Sequence, residues 1–258
     1  VLALTGSAVA GYLEDCQDFD NPDKAIRACT VLLRLQPKNA RFYAHRGSAY
    51  ITNKDYDSAL VDFNEAIRLD ERQPSVVYSL RGVAHSFKHE YDQAIADFDV
   101  AIRLDPTIAP TYSQRGDAYQ EKHDYDRAIA DYTKAMQLDP KNAQTFLDRG
   151  NAYYSKRDYN RAILDFSGAI KINPKFFDAY FNRALTYYDS GKAASGLPDI
   201  ERALQLRPKD LDTIERRALI LEALGRKQEA IAGFRAALAL DPSTTLSKEG
   251  LTRLGAAP

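Results

Sequence analysis

Proline punctuates this 258-residue chain at a fixed interval. Pro106, Pro140, Pro174, Pro208 and Pro242 lie 34 residues apart, and Pro37 precedes Pro106 by 69, two intervals plus one residue. The extra residue falls in the turn before Pro74, where Leu69-Asp70 is followed by Glu71 instead of proline. A period of this size, held over most of a chain, dictates a stack of like units before any other feature is weighed. Further columns keep the same frame. One runs Gly47, Gly82, Gly116, Gly150, Ala184 and Ala218; three residues later come Tyr50, His85, Tyr119, Tyr153, Tyr187 and Leu221. A small column runs Ala25, Ala59, Ala94, Ala128, Ala162, Gly196 and Ala230. Four residues on stands a large one: Cys29, Phe63, Phe98, Tyr132, Phe166, Ile200 and Phe234. Apolar positions stepping by three and four specify helix. Small residues mark where two helix backbones approach, and the large ones fill the space beside them.

Each unit therefore reads as two antiparallel helices. In the unit after Pro37 the first is expected from about Arg41 to Asn53 and the second from about Tyr56 to Leu69, joined at Lys54-Asp55. Asp at the start of the second helix suits the positive end of its dipole, and proline after Leu-Asp stops it. Lys and Arg together number 35 against 36 Asp and Glu. No excess of cations is available to displace phosphate counterions, so nucleic acid is not an expected partner. No run of about 18 apolar residues occurs, so no membrane insertion is expected.

The 34-residue spacing and the Gly…Tyr…Ala…Phe…Ala…Pro columns resemble the tetratricopeptide repeat family, over nearly the whole chain from about Gly6 to Thr244. The resemblance implies an all-α fold, a right-handed superhelical solenoid of antiparallel helix hairpins in which each hairpin is buried only by its neighbours. It divides the chain into a signal-like stretch over 1–10 and a single solenoid over 11–258. The solenoid holds a degenerate first repeat (11–39), six clear repeats (40–244) and a short capping helix (246–255). Leu246, Leu251 and Leu254 would cover the last repeat. Gly196 and Pro198 are expected to make one second helix start late or bend, since proline is well tolerated only in a first turn.

One column is unusual for the family: Arg46, Arg81, Arg115, Arg149, Arg183 and Arg217. Sixteen residues on lies an acidic column, Asp62, Asp97, Asp131, Asp165 and Asp199, closed by Gly233. The planar guanidinium suits carboxylates at partly buried sites. A structural ladder of ion pairs is one reading; a row of Arg that binds an anionic ligand is the other. Pairing inside each repeat leaves Arg217 over, and pairing to the preceding repeat leaves Arg46 over.

No nucleotide loop, HExxH motif or calcium loop occurs, and nothing argues for an enzyme or a cofactor. His85 and His89 stand four apart, a spacing compatible with metal. But His85 occupies the tyrosine column, where packing accounts for it, and no metal site is expected. In the family the first helices line a concave groove that takes an extended peptide or a partner helix. Helical spacing then points Ser79, Val83, Phe87, Gln114 and Asp117 there, with Asp148, Asn151, Tyr154, Asp178, Asn182, Tyr188 and Glu215 further along. Asn would hold peptide backbone, and aromatic rings would supply anchors. Eight acids fall in that set once Glu121, Asp189, Asp212 and Glu222 are added, so the groove is expected to favour basic or neutral segments. Simple solubility explains the same acids equally well.

Cys16 and Cys29 replace two columns that face each other inside a hairpin of this family. The resemblance implies a disulfide between them, against the alternative of two small buried thiols. A disulfide implies an oxidising compartment. The opening VLALTGSAVA resembles the end of a secretory signal with a cut after Ala10; the alternative is a poor first helix. The run Ala25-Ile26-Arg27-Ala28-Cys29-Thr30 resembles repeats of exported alphaproteobacterial proteins. The expected function is a non-enzymatic scaffold for a protein or peptide ligand, periplasmic or secreted, with a cytoplasmic location as the alternative. A structural role through self-association or envelope packing is the second reading.

Overall fold

The computed structural model describes residues 6–18, 20–70, 72 and 74–257. Fifteen α-helices and no strand occur among the described residues. The chain divides into two compact units, Val1–Leu138 and Asp139–Pro258. The first holds α1 (Gly6–Cys16), α2 (Pro22–Leu35), α3 (Ala40–Thr52), α4 (Tyr56–Leu69), α5 (Ser75–Phe87), α6 (Tyr91–Leu104), α7 (Ala109–Glu121) and α8 (Tyr125–Leu138). The second holds α9 (Ala143–Ser155), α10 (Tyr159–Ile172), α11 (Phe177–Asp189), α12 (Ala193–Leu206), α13 (Leu211–Ala223), α14 (Lys227–Leu240) and α15 (Thr245–Arg253). Within each unit, successive helices pair as antiparallel hairpins, and hairpins stack in chain order.

Local chemistry sets these limits. Asn21, Asn39, Asp55, Asn142, Asp158 and Asp210 cap their helices by accepting backbone N–H bonds, which satisfies donors that a helix start leaves open. First helices close on a left-handed residue: Lys54, His89, His123 and Arg157 at φ near 60°, then Gly191 and Gly225 at 74° and 72°. The next residue donates its N–H back across the turn, as Asp55 does to Tyr50 (2.9 Å) and Arg226 to Leu221 (2.9 Å). This is the tight stop that turns a helix into a hairpin. His89 and His123 thus sit at turn positions, with their Nδ1 atoms beside the hydroxyls of Tyr91 and Tyr125. His85 instead packs inside its hairpin against Glu90.

In four hairpins a glycine on the first helix meets a ring on the second. A Cβ added at Gly47, Gly82, Gly116 or Gly150 would lie 2.6–2.9 Å from the ring of Phe63, Phe98, Tyr132 or Phe166. All four rings are fully buried. Where the glycine column turns to alanine, the partners change. Ala184 faces Ile200 in place of a ring, and a Cβ at Gly196 would meet the Ala184 carbonyl at 2.7 Å. Ala218 keeps a ring opposite, Phe234, but that ring packs onto Gly250 of α15, where a Cβ would stand 2.5 Å away. Helix α12 starts at Ala193, in register with the other second helices, and carries Pro198 in its interior. The expected late start is therefore absent: packing against α11 overrides the proline.

The arginine column forms rungs inside the repeats. Arg46, Arg81, Arg115, Arg149 and Arg183 each donate from Nε and Nη2 to the two oxygens of Asp62, Asp97, Asp131, Asp165 and Asp199, at 2.5–2.8 Å. The carboxylates are buried. The remaining Nη1 reaches back to the previous repeat: Arg46 to Thr30 (3.0 Å), Arg81 to Asn64 (2.8 Å), Arg115 to Asp99 (2.5 Å) and Arg183 to Ser167 (2.8 Å). Both directions of pairing are used at once, by different partners. In the last repeat Gly233 supplies no carboxylate, and Arg217 bonds Glu201 of the previous repeat instead (3.1 Å).

In the degenerate first hairpin a disulfide joins Cys16 and Cys29, with Cα atoms 4.8 Å apart. Both residues are buried in a cluster with Ala28, Leu32, Leu33 and Phe42. Helix α1 runs through Ala10 and its neighbours; residues 1–5 of the signal-like stretch lie outside the described residues.

The glycine–ring contact gives a direct test. Gly150→Ala overpacks the hairpin against Phe166 and should cost about 1–3 kcal/mol in urea denaturation. Adding Phe166→Ile, which copies the Ala184–Ile200 pair, should recover part of that loss. Additive effects of the two substitutions would refute the complementarity.

Candidate functional site

The first helices of each unit carry the side chains that the packing columns leave free. In the first unit, Ser79 on α5 donates to Gln114 on α7 (3.1 Å) and lies 3.5 Å from the Thr111 hydroxyl. Val83 is half-buried against Phe98 and Ala118. Phe87 is 59% exposed and stacks on Tyr56 of the preceding repeat, ring centroids 4.6 Å apart and nearly parallel. Asp117 accepts from the Tyr132 hydroxyl (2.7 Å). Solvent reaches Asp117 from one side, but protein crowds it on the others. That burial pushes its carboxyl pKa up; the Tyr132 bond pulls it down, and Glu121 adds to the rise.

The same unit holds a cleft of about 1570 Å³, lined in part by Arg41, His45, Val76 and Leu80, which helical spacing also points to the groove. Its apolar walls include Val76, Val77 and Leu80, and its charged groups are Lys38, Arg41 and Arg72 against Asp70. His45 lines it too; burial, with the Arg41 charge, pushes its imidazole pKa down, so it is neutral at pH 7. The lining of this cleft is cationic. Lys38 and Arg72 sit in the turns between repeats, one of them the turn with the extra residue. In the frame of columns such positions are only punctuation.

In the second unit the first helices α9 and α11 meet through an amide pair, Asn182 Nδ2 donating to Asn151 Oδ1 (2.8 Å). Both line an open cleft of about 510 Å³ with Gln144, Asp178, Phe181 and Asp212. Asp148 accepts from Gln144 (2.8 Å). Asp178 lies 3.9 Å from Arg207, whose guanidinium stacks on Phe177 at 3.8 Å. Asp212 accepts from Arg216 (2.9 Å). Tyr154 donates to Asp189, and burial together with that carboxylate pushes its phenol up to about 12. Tyr188 is half-buried against Ala184, Ile200 and Ile220.

Glu215 requires a correction. It is 7% exposed and accepts from Thr244 (2.5 Å) and Ser247 (2.6 Å) at the start of α15. It is a buried anchor for the last helix rather than a groove residue. Glu222 is also engaged by α15, through a two-pronged bond from Arg253 (3.0 and 2.9 Å). The acidic surface is thus narrower than the spacing predicts. No group of three or more potential metal ligands occurs among the described residues, and none of the helices is long and apolar enough to cross a membrane.

Known proteins share this arrangement. A TPR repeat model matches residues 116–156 and 150–191, and two tetratricopeptide repeat models match 181–244 and 40–73, together more than half of the chain. The chain belongs to the tetratricopeptide repeat family. Among curated tetratricopeptide repeat proteins, human tetratricopeptide repeat protein 13 is 38% identical over 52 residues, 20% of this chain and 6% of that one. The fold resembles the C-terminal part of a TPR repeat-containing protein from Cytophaga hutchinsonii (21% identity, TM-score 0.78, 94% of this chain and 99% of that one). It also resembles a tetratricopeptide repeat protein from Parabacteroides merdae (20% identity, TM-score 0.68, 97% and 100%). A third likeness is to YrrB, a TPR protein described as having an unusual peptide-binding site (19% identity, TM-score 0.64, 74% and 97%). Tetratricopeptide repeats are in general scaffolds for contacts between proteins rather than catalytic folds.

The Asp117 environment makes a pH prediction. A carboxyl whose folded pKa is raised holds its proton more tightly in the folded state. Its contribution to stability is complete below the unfolded value near 3.8 and is lost as pH rises through the folded value. Asp117→Asn keeps an acceptor for Tyr132 and removes the charge. The variant should melt higher than wild type at pH 7 and alike near pH 3. An unchanged melting difference across that range would refute the assignment.

Proposed function

We propose that this chain is a non-enzymatic scaffold that holds an extended segment of a partner protein on the first helices of its second unit. The observation that carries the reading is the Asn182–Asn151 amide pair, in a cleft shared with Asp178, Asp212, Leu147 and Phe181, with Asp148 bonded to Gln144 at its edge. Amides that donate and accept at once suit a peptide backbone. The apolar side chains beside them suit an anchor, and the neighbouring carboxylates select against acidic segments. A basic or neutral segment is the ligand class that this chemistry favours.

A Lys-rich peptide should bind more tightly than a Glu-rich one of equal length, with an affinity that falls as salt is raised. The double variant Asp148→Asn with Asp178→Asn should weaken the Lys-rich peptide by about 3- to 10-fold, the sum of two partly exposed ion pairs. Equal affinity of variant and wild type at low salt, by fluorescence polarisation, would sink the reading.

Self-association is the second reading. Val61 on α4 and Leu164 on α10, 68% and 69% exposed, hold the same column of the second helices. A protein that elutes as an ordered oligomer, and as a monomer after Val61→Lys with Leu164→Lys, would favour it.

We further infer a periplasmic or secreted location. The support is the Cys16–Cys29 disulfide, because such bonds persist in oxidising compartments. Protein taken from its native source should gain about 2 Da on reduction. The reduced form should lose roughly 3 kcal/mol in the chain-entropy model for a loop of this size. Free thiols in freshly isolated protein would refute the location.

A further inference from the structure

Five rungs of the arginine ladder are filled and the sixth is open. At Arg46, Arg81, Arg115, Arg149 and Arg183 the guanidinium fork grips an aspartate of its own repeat. At Arg217 the equivalent position is Gly233, and Glu201 is the one carboxylate bonded to this arginine among the described residues. Packing explains why aspartate is missing: a Cβ at Gly233 would stand 2.9 Å from the Cβ of Ala218. The consequence lies in the space left behind. A cleft of about 650 Å³ opens there between α12, α13 and α14, walled by Leu204, Pro208, Ile214, Ala232 and Ala236, with Arg217 lining it. Its volume is that of a small-molecule site. The walls are apolar, and the Arg217 side chain is 28% exposed.

Bonding to Glu201 does not use up this arginine. Arg115 shows the full arrangement within the same chain. Its fork holds Asp131 through two bonds (2.8 and 2.7 Å) while its third nitrogen holds Asp99 (2.5 Å). Glu201 occupies the Asp99 column but is held by Arg217 Nη2, where Arg115 reaches back with Nη1. Arg217 Nε has no bonded carboxylate among the described residues, and Nη2 carries a second N–H, so the fork can still be offered. The second acid in the cleft, Glu229, is gripped by Arg226 through two bonds (2.7 and 2.6 Å).

We propose that the open rung is a binding site for a carboxylate carried on a small apolar body. The carboxylate takes the forked place of the absent aspartate on Arg217, and the apolar body packs on Leu204, Pro208 and Ile214. Such a group belongs equally to a free organic acid or to an acidic side chain flanked by leucines on a partner. The site lies apart from the amide pair of Asn151 and Asn182 and does not depend on the peptide reading made there.

The test uses the full chain and the side-chain Nε–Hε signals of its arginines in NMR titrations. The probes are 4-methylpentanoate, its amide, and an end-blocked Leu-Asp-Leu peptide whose sole carboxylate is the aspartate. One or both carboxylate probes should move the Arg217 signal saturably; the one that binds more tightly identifies the source. The amide should not. Arg217→Lys keeps the charge but not the fork and should weaken binding about ten-fold or more. Ala218→Gly with Gly233→Asp rebuilds the rung found in the first four clear repeats and should abolish binding. The proposal is overturned if neither carboxylate saturates. It is equally overturned if the amide binds as well as the acid, or if affinity survives in Arg217→Lys or in the rebuilt rung.

Discussion

The stack depends on a guanidinium that serves two repeats at once. The rungs of Arg46, Arg81, Arg115 and Arg183 tie the two helices of their own hairpins through aspartate and also reach the second helix of the hairpin before. Tyrosine rings lie beside the guanidinium, with Arg46, Arg81, Arg115 and Arg183 at 5.7–6.0 Å from Tyr43, Tyr78, Tyr112 and Tyr180. Replacing a buried ion pair with apolar groups is often neutral, whereas removing one partner is severe. The ladder is therefore better understood as a device for register than as a source of net stability. A hairpin displaced by one helical turn would strand its buried carboxylate. Because these four arginines bond their own repeat and the one before, the constraint couples neighbours, as a one-dimensional array requires. Lys88–Asp57, Lys122–Asp92 and the Asn53–Asp23 bond (2.7 Å) repeat the same coupling at the turns of the first unit.

The ring column and the arginine column are not independent. While the first helix offers glycine, the ring lies over it and the adjacent aspartate keeps its place. When alanine enters at 218, Phe234 packs onto Gly250 and the residue before the ring becomes glycine. One methyl group thus connects the closing helix α15 to the loss of a rung. Ala184 takes a different course, with a smaller residue opposite and glycine at 196, and its rung survives through Asp199. Two repeats with the same first-helix substitution differ in chemistry because the compensating glycine falls at different places.

Periodicity made the fold legible. Helix ends, hairpins, buried columns and the arginine–aspartate spacing can all be deduced from residues that recur, and each recurrence is a further reading of the same position. What periodicity could not supply was the partner of each group. The arginine's own repeat and the one before were both open for the aspartate column; the fork takes the aspartate of its own repeat, and the third arm finds other partners in the one before. Glu215 was misplaced for a related reason. Its helical position matches groove residues elsewhere, but in the last repeat α15 stands against it, and a column says nothing of the helix that packs beyond its final member. The late start expected from Pro198 is absent, because α12 packs on α11 in the register that the other hairpins share.

The proposed sites fall where the columns break. Phe87, Asn151, Asn182 and Gly233 have no counterpart of their own kind in the neighbouring repeats, and each lies at an exposed stack, an amide pair or a cleft. The cationic cleft takes Lys38 and Arg72 from turns that differ from repeat to repeat, and Arg41 from the first turn of α3. The acids of the second unit's cleft stand at the starts of α11 and α13, in a column that reads Arg41, Val76, Pro110 and Gln144 in the earlier repeats. Groups that recur are held by neighbours on both sides and have little freedom to meet a ligand. Groups that do not recur are released from that constraint. In a chain whose stability is assembled from nearest-neighbour contacts, such positions can diverge without disturbing the next repeat. A scaffold of this kind can therefore change what it binds one hairpin at a time.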